Sequence, residues 1–288
     1  MSMNKKASKP SESEKPLKTQ KHEIRPTQSL ELLKELHILT RDGKLNQDTR
    51  RKLKQVYHLV HFIEPLLKEV LERKALYLVD HGAGKSYLGF ILNDLFCKLQ
   101  DKPSHIVGIE VRDELVKSSQ ELAQRLNFSN MEFLHLSAED SLHSDLLPKE
   151  VDVVTALHAC NTATDDAIRF ALEKKAKHIV LVPCCQAEVA STLRQKKSQS
   201  LKNEISEIWR HPLHTREFGS HITNVLRCLQ LESHGYSVTV TELVGWEHSM
   251  KNELIIATQN NKPSKSAKER KAKILQEIGL ESLTERFA

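Results

Sequence analysis

The sequence predicts an α/β fold built on a doubly wound, mostly parallel sheet of seven strands. Three observations point to this fold. Short β-rich runs alternate with stretches of helical periodicity from Ala75 onward, the glycines Gly82 and Gly84 directly follow the first run, and a short segment joins the last two runs. Such alternation is typical of a parallel sheet with helices on both faces.

A polar tail and a helical extension precede the predicted sheet. Residues 1–27 are rich in Lys, Ser, Glu and Pro, and we expect a disordered basic tail because they offer almost no apolar surface to bury. Residues 28–73 form the helical extension: apolar residues recur at helical spacing in a short stretch that begins near Leu30 and in a long one over 48–73. Pro65 is expected to kink the long helix.

Residues 74–260 are predicted to form the sheet domain. Its strands are predicted at 75–79, 105–109, 131–136, 151–157, 178–182, 237–244 and 253–257. Its helices are predicted at 86–99, 113–126, 138–146, 164–174 and 221–233. The last two strands are separated only by residues 245–252, so we expect an antiparallel hairpin at one edge. A basic insertion at 195–218 lies within the domain, and a basic tail or helix at 261–288 follows it.

Composition narrows the class of protein. The chain has 288 residues, 39% of them hydrophobic, and its apolar runs are too short to cross a bilayer. Its five cysteines lack the spacing of a disulfide framework, which favours a reducing compartment, so we expect a cytoplasmic protein without a structural metal. The formal charge is +5, and lysines crowd both ends of the chain. Such basic tails favour polyanionic partners, and a solvated tail is the commoner explanation of the same pattern.

The glycine turn after the first strand is the most informative motif. Gly84-Lys85-Ser86 matches the end of a phosphate-binding loop, but that motif requires glycine at position 79, where this chain has valine. Asp80 closes the first strand instead, and Glu110 closes the second. A carboxylate at the end of the second strand is what parallel sheets use to bind ribose hydroxyls.

These motifs resemble class I S-adenosylmethionine-dependent methyltransferases over residues 75–257. The stretch 78–84 resembles the first glycine motif of that class, Glu110 its ribose-binding acid, residues 137–140 its adenine loop, and residues 152–160 its fourth-strand motif. The resemblance implies a Rossmann-like methyltransferase fold with S-adenosylmethionine as cofactor. The cofactor-binding residues that it implies are Asp80, His81, Gly82, Gly84, Glu110, Ala138, Glu139 and Leu157.

A narrower resemblance concerns the segments after the fourth and fifth strands. Residues 156–165 and Pro183-Cys184-Cys185-Gln186 are similar to a branch of methyltransferase-domain proteins related to tRNA ribose 2′-O-methyltransferases. Asn161 and Gln186 depart from that pattern, which usually has glycine or an acidic residue at the first position and histidine or tyrosine at the second.

His158, Cys184 and Cys185 are the candidate catalytic residues. His158 has an intrinsic pKa suited to a general base, but it could equally shape the pocket. Either cysteine could attack a pyrimidine, could join His158 and Cys160 in a zinc site, or could pack as a small apolar thiol beside the cleft, the role that we favour.

Residues 195–218 supply the candidate substrate-binding residues Trp209, Arg210, His214 and Arg216. Cations for phosphate and an indole for base stacking suit RNA. A solvated basic helix with Trp209 in the core would give the same pattern. RNA is therefore the favoured acceptor, protein and small-molecule acceptors are the nearest alternatives, and a non-catalytic nucleic-acid-binding adaptor is the alternative of another class. The sequence does not indicate an oligomeric state.

Overall fold

The computed structural model of the chain describes residues 23–157, 159, 161–183, 187–195, 204–243 and 253–288, and of residues 204–206 only the backbone. The chain divides into two compact units, Met1–Lys54 and Gln55–Ala288. The boundary between them, after Lys54, lies inside the helix Gln47–Arg73. The division therefore differs from the predicted boundary at 73/74.

The first unit contains helix α1 (Leu30–Glu35) and the first residues of α2 (Gln47–Arg73). Ser29 begins α1 by accepting a hydrogen bond from the Leu32 N–H through its side chain. Asn46 and Thr49 exchange side-chain-to-backbone hydrogen bonds where α2 begins, the reciprocal arrangement that satisfies two N–H groups at a helix start. Helix α2 continues through Pro65 to Arg73.

The second unit is built on a single sheet. The described strands are β1 (Leu76–His81), β2 (Ser104–Glu110), β3 (Met131–His135), β4 (Val153–Leu157), β5 (His178–Val182), β6 (Tyr236–Glu242) and β7 (Glu253–Gln259). They lie in the order β3-β2-β1-β4-β5-β7-β6. The first five are parallel, and β7 pairs antiparallel with both β5 and β6, which confirms the predicted fold class and the predicted hairpin.

Besides the rest of α2, the described α-helices of this unit are α3 (Tyr87–Leu95), α4 (Asp113–Arg125), α5 (Ala138–His143), α6 (Ala163–Glu173), α7 (Glu188–Gln195), α8 (Pro212–Ser233) and α9 (Lys265–Glu277). Helix α8 begins at Pro212, nine residues before the predicted start at 221, because proline suits the first turn, where its missing N–H has no partner to lose. The predicted insertion therefore ends inside a helix. The predicted C-terminal tail or helix contains α9.

Two of the apolar cores of the second unit bear on the positions of the candidate site residues. The larger one is formed by inward-facing residues of the central strands with α6, including Val79, Val154, Ile168, Phe170 and Ile255. The smaller one joins α7, α8 and α9 through Val189, Leu193, Trp209, Leu226, Leu275, Ile278, Leu280 and Phe287. Helix α9 is thus bound to the domain by burial of its apolar face. None of the described helices is long and apolar enough to cross a membrane.

The chain order of the strands places a switch point between β1 and β4. The chain passes from β1 outward to β2 and β3, and then returns to β4 on the other side of β1. In open α/β sheets, ligands bind in the crevice that this reversal opens at the carboxyl ends of the strands. The candidate site residues after β1, β2 and β4 should therefore be sought at this edge.

Candidate active site

The turn after β1 has the backbone shape that its glycines predict. Gly82 and Gly84 have φ values of +67° and +59°, in the left-handed region that favours glycine. Among the described residues, a Cβ added to Gly82 would meet the Ala159 side chain at 3.8 Å, and one added to Gly84 would meet the Arg112 guanidinium at 3.9 Å. Both distances are ordinary van der Waals contacts, so the described part of the chain leaves the backbone of the turn accessible to a ligand.

Asp80, directly before this turn, is buried. Its carboxylate accepts hydrogen bonds from the Thr155 hydroxyl at 2.8 Å and from the Ser86 hydroxyl at 3.4 Å, and all three residues are buried. Burial raises the pKa of Asp80 to about 7, although hydrogen bonds from Thr155, the Gly89 N–H and Ser86 oppose the shift. Asp80 thus contacts Ser86, which directly follows the turn, while its predicted ordering of the turn and its predicted contact with the methionine ammonium stay predictions.

Glu110, the last residue of β2, contacts the same turn. One of its oxygens accepts a hydrogen bond from the Gly84 N–H at 2.8 Å, and the other accepts from the N–H of Arg112 at 3.1 Å. The Arg112 guanidinium also donates to both oxygens, at 2.8 and 3.2 Å. Burial acts to raise the pKa of Glu110, but the hydrogen bonds from Arg112 and Gly84 outweigh it and hold the pKa below its usual value.

His81, the last residue of β1, is buried and stacks near Phe170. Burial lowers its pKa to about 4, so the ring is neutral near pH 7. The Ser141 hydroxyl donates to the Ala138 carbonyl and therefore accepts from His81 Nε2, at 3.4 Å. His81 Nδ1 has no hydrogen-bond partner among the described residues. His81 thus joins the end of β1 to α5, the helix of the predicted adenine loop.

The predicted adenine loop forms the start of α5. The Ser137 side chain caps this helix by accepting from the Asp140 N–H. The Glu139 side chain is exposed and pairs with Arg169 of α6 at 2.8 Å. Ala138 is the first residue of α5, and Leu157 is the last residue of β4. These positions agree with a loop at the carboxyl edge, while the contacts of Ala138, Glu139 and Leu157 with adenine stay predictions.

The segment after β4 meets the glycine turn through Ala159, which is buried and lies next to Gly82. The predicted catalytic residues His158, Cys184 and Cys185 lie outside the described residues, as do Cys160 and Gln186. Among the residues that are described, no three His, Cys, Asp or Glu side chains are arranged to hold a metal ion. The proposed zinc, nucleophile and packing roles of the cysteines therefore stay open.

The predicted substrate residues fall into two groups. Trp209 is only 2% exposed and packs against Phe218 at a ring distance of 4.8 Å in the smaller core. The prediction that its indole stacks on a base is therefore wrong, because the apolar contacts of α7, α8 and α9 enclose it. Arg210, His214 and Arg216 are exposed, and Arg210 and Arg216 pair with neighbouring glutamates.

Sequence reasoning missed four residues that shape the site. The Arg112 guanidinium donates hydrogen bonds to the Glu110 carboxylate. Thr155 of β4 pairs with Asp80 of β1 in the register of the sheet. A Cβ on Gly89 of α3 would meet the Ser86 hydroxyl at 2.7 Å and Ile106 of β2 at 3.4 Å, and a Cβ on Gly108 of β2 would meet the Phe133 ring at 2.8 Å, so both positions lack room for a side chain. Only the glycines had a sequence signal, since a third glycine often permits close helix–strand packing after such a turn.

Comparison with known proteins agrees with this geometry. A family described as methyltransferase domain matches residues 51–192. Proteins named glutathione S-transferase C-terminal domain-containing protein, from Bos taurus and Homo sapiens, are 24% identical over 238 residues, which cover 76% of this chain and 35% of each relative. The chain thus spans about a third of the length of these relatives.

Several solved structures are also similar. An rRNA methylase from Streptococcus thermophilus is 11% identical, with 69% of this chain and 95% of that chain covered and a TM-score of 0.43. Magnesium protoporphyrin IX methyltransferase from Synechocystis is 14% identical, with coverages of 80% and 93% and a TM-score of 0.45. Residues 51–192 of this chain are thus similar to a methyltransferase domain, and the switch-point turn with the acid from β2 lies within the matched segment.

Proposed function

We propose that the chain transfers a methyl group from S-adenosylmethionine to RNA. The observation that carries the proposal is the 2.8 Å hydrogen bond from the Gly84 N–H to Glu110. It fixes an acid from β2 against the open backbone turn after β1. A nucleoside seated at this point would have its ribose beside a carboxylate and its remaining atoms over the turn.

Glu110 has the acceptor capacity that a ribose requires. A carboxylate has about four acceptor positions, and here two are taken by backbone N–H groups and two by the Arg112 guanidinium. The backbone donors are fixed, whereas Arg112 is 57% exposed. Two ribose hydroxyls can therefore replace the guanidinium while the backbone continues to hold the acid in place.

The chemistry asks little acid or base work of the protein. S-adenosylmethionine supplies a methyl group on a positively charged sulfur, already activated for attack. The chain must bind the donor, align the acceptor atom and exclude water. Glu110 and the turn supply the binding. His158 remains the proposed base or pocket-shaping residue, and Cys184 and Cys185 remain candidates for packing or attack.

Exposed cations support RNA as the acceptor. Lys262, Lys265 and Lys268 are exposed at the start of α9 and have no ion-pair partner among the described residues. Arg210 and His214 are exposed near the start of α8, the helix on which α9 packs, and Arg210 pairs with Glu207. The three lysines are available to neutralise phosphates and to release their counterions.

The test is to incubate the full chain with tritium-labelled S-adenosylmethionine in three separate reactions, which contain total RNA, total protein or a small-molecule extract as the acceptor. We expect label in RNA. The double variant Lys265→Gln/Lys268→Gln should label RNA less and should show a weaker dependence on salt, by roughly 0.7 in log–log slope for each phosphate that it no longer neutralises. Lys117→Gln is the matched control, because Lys117 is an exposed lysine on α4 paired with Asp113.

The alternative functions give different outcomes. Label in protein or in the small-molecule extract alone would retain methyl transfer and overturn the RNA acceptor. Absence of label in every fraction, together with absence of heat on titration with S-adenosylmethionine, would favour the non-catalytic adaptor. Equal labelling of RNA by the double variant and the wild type would show that Lys265 and Lys268 do not contact RNA.

A further inference from the structure

We propose that Asn161 is a positioning residue that ties the loop after β4 to the loop after β5. By holding these loops together, it fixes the alignment of the acceptor with the donor, so this part of the inference rests on the proposed methyl transfer. The tie itself is a property of the chain alone. In the sequence, the two loops contain the candidate catalytic residues His158, Cys184 and Cys185.

The side chain of Asn161 caps a helix from which it is far away in sequence. Its Oδ1 accepts hydrogen bonds from the N–H groups of Ala187 and Glu188, both at 3.1 Å. Glu188 is the first residue of α7, and these N–H groups have no partner within the helix. Helix caps usually come from the residue just before the helix. Here the cap comes from the loop after β4 and therefore links the two loops.

The backbone of Asn161 is held from the other side. Its φ is +53°, a left-handed conformation that asparagine tolerates better than most residues. Its carbonyl accepts from the Arg227 guanidinium at 2.9 Å. Arg227 is 1% exposed and forms a bidentate pair with Asp165, at 2.7 and 2.9 Å. The carbonyl of Asn161 thus binds a guanidinium whose own position is fixed by a buried charge pair.

A third contact holds the loop two residues earlier. The Thr164 hydroxyl donates to the Ala159 carbonyl at 2.6 Å, and Ala159 itself lies beside Gly82 of the glycine turn after β1. The segment after β4 therefore contacts the glycine turn, α6, α8 and the start of α7. Of these four contacts, only the one made by the Asn161 side chain reaches the loop after β5.

A cap contributes modestly to stability, whereas alignment has a steep effect on rate. Loss of a cap should lower the melting temperature by only a few °C in a chain of this size. A displacement of about 1 Å at a reacting centre can lower the rate about 100-fold. A positioning role therefore predicts a large loss of turnover with little loss of stability or of donor affinity.

Asn161→Gly is the most informative variant. Glycine adopts positive φ freely and keeps the carbonyl for Arg227, so the substitution removes only the Oδ1 cap. Asn127→Gly is the matched control, because Asn127 also has a positive φ, +55°, in an exposed position after α4. Asn161→Asp keeps an acceptor at the helix start and should rescue most of the activity.

Four measurements decide the inference. For Asn161→Gly relative to wild type, we expect an unchanged dissociation constant for S-adenosylmethionine, faster amide exchange in the first turn of α7, and a KM for RNA changed less than kcat. The turnover of labelled total RNA should fall roughly 30- to 100-fold, as expected for a misalignment of up to 1 Å. Asn127→Gly should match the wild type in all four.

Failure of the inference is distinguishable from failure of the proposed function. Unchanged turnover in Asn161→Gly, or unchanged amide exchange at the start of α7, would overturn it. A parallel loss of donor affinity would also overturn it, in favour of a general structural role. If the wild type labels no RNA, the proposed function fails, and the exchange measurement alone then decides whether Asn161 joins the two loops.

Discussion

The carboxyl ends of β1 and β2 each present an acid to the same glycine turn, but the protein surrounds the two acids in opposite ways. Asp80 accepts from buried hydroxyls, and burial raises its pKa to about 7. Glu110 accepts from backbone N–H groups and an exposed guanidinium, and its pKa is lowered. The two carboxylates therefore differ in their surroundings: Asp80 is held by buried hydroxyls, whereas Glu110 is held partly by a guanidinium that is 57% exposed.

The largest expected effect concerns the stability contribution of Asp80. The unfolded chain releases this proton near pH 3.8, whereas the folded protein holds it to about pH 7. The folded state binds more protons between these values, so stability falls as pH rises through this window, by up to roughly 4 kcal/mol. Asp80→Asn cannot ionise. We therefore expect its free energy of unfolding in urea to lack this fall and to exceed that of the wild type above pH 7.

An exposed acid provides the control for this prediction. Asp113→Asn removes a carboxylate that pairs with Lys117 on the surface of α4, and its effect should stay below about 1 kcal/mol. Parallel pH profiles for the wild type and Asp80→Asn would contradict the buried environment assigned to Asp80.

A smaller effect is expected when Asp80 loses one donor. Thr155→Val removes the hydroxyl that donates to Asp80 at 2.8 Å while nearly preserving side-chain shape. The variant should lose roughly 1.5–3 kcal/mol of unfolding free energy above pH 7, where Asp80 is charged, and less near pH 4. Chemical denaturation at both pH values measures the difference.

Thr239→Val, at an exposed position of β6, should change stability by less than about 0.5 kcal/mol at either pH. If Thr155→Val were equally destabilised at both pH values, its contribution would be packing instead of a hydrogen bond to a charged acid.

The smallest effect concerns the partner of Glu110. Arg112→Ala removes the guanidinium that the donor ribose must replace. Because the guanidinium is 57% exposed, its pairing with the buried Glu110 contributes on the order of 1 kcal/mol, and we expect donor affinity to rise only roughly 2- to 5-fold in calorimetry. Arg270→Ala, which removes a guanidinium of similar exposure, 59%, from its pair with Glu232, should leave donor affinity unchanged. A weaker affinity in Arg112→Ala would mean that Arg112 helps to bind the donor.

Local sequence patterns were enough to predict most of the fold. Alternating periodicity predicted the strands and their hairpin, and the glycine turn predicted the place of the donor site. Two further signals were available in the sequence: Pro212 at the start of α8, and Ser264 before α9 with Gly279 after it. Ser264 does cap α9 by accepting from the Ala267 N–H.

The remaining features depend on contacts between distant segments. Burial of Trp209 depends on three helices meeting, and the environment of Asp80 depends on the register that places Thr155 beside it. No local pattern encodes either arrangement. Arg112 and Glu110 are close in sequence, but the alternation of strands and helices does not show which side chain donates hydrogen bonds to the Glu110 carboxylate.

The most direct test is calorimetric titration of the full chain with S-adenosylmethionine, comparing the wild type, Glu110→Gln and Glu132→Gln. Glu132 is an exposed acid on the neighbouring strand β3, paired with His105. We predict binding to the wild type and to Glu132→Gln, and roughly 100-fold weaker binding to Glu110→Gln, since two hydrogen bonds to a charged acceptor become bonds to a neutral one. Equal affinity for Glu110→Gln and the wild type would contradict a donor site on Glu110.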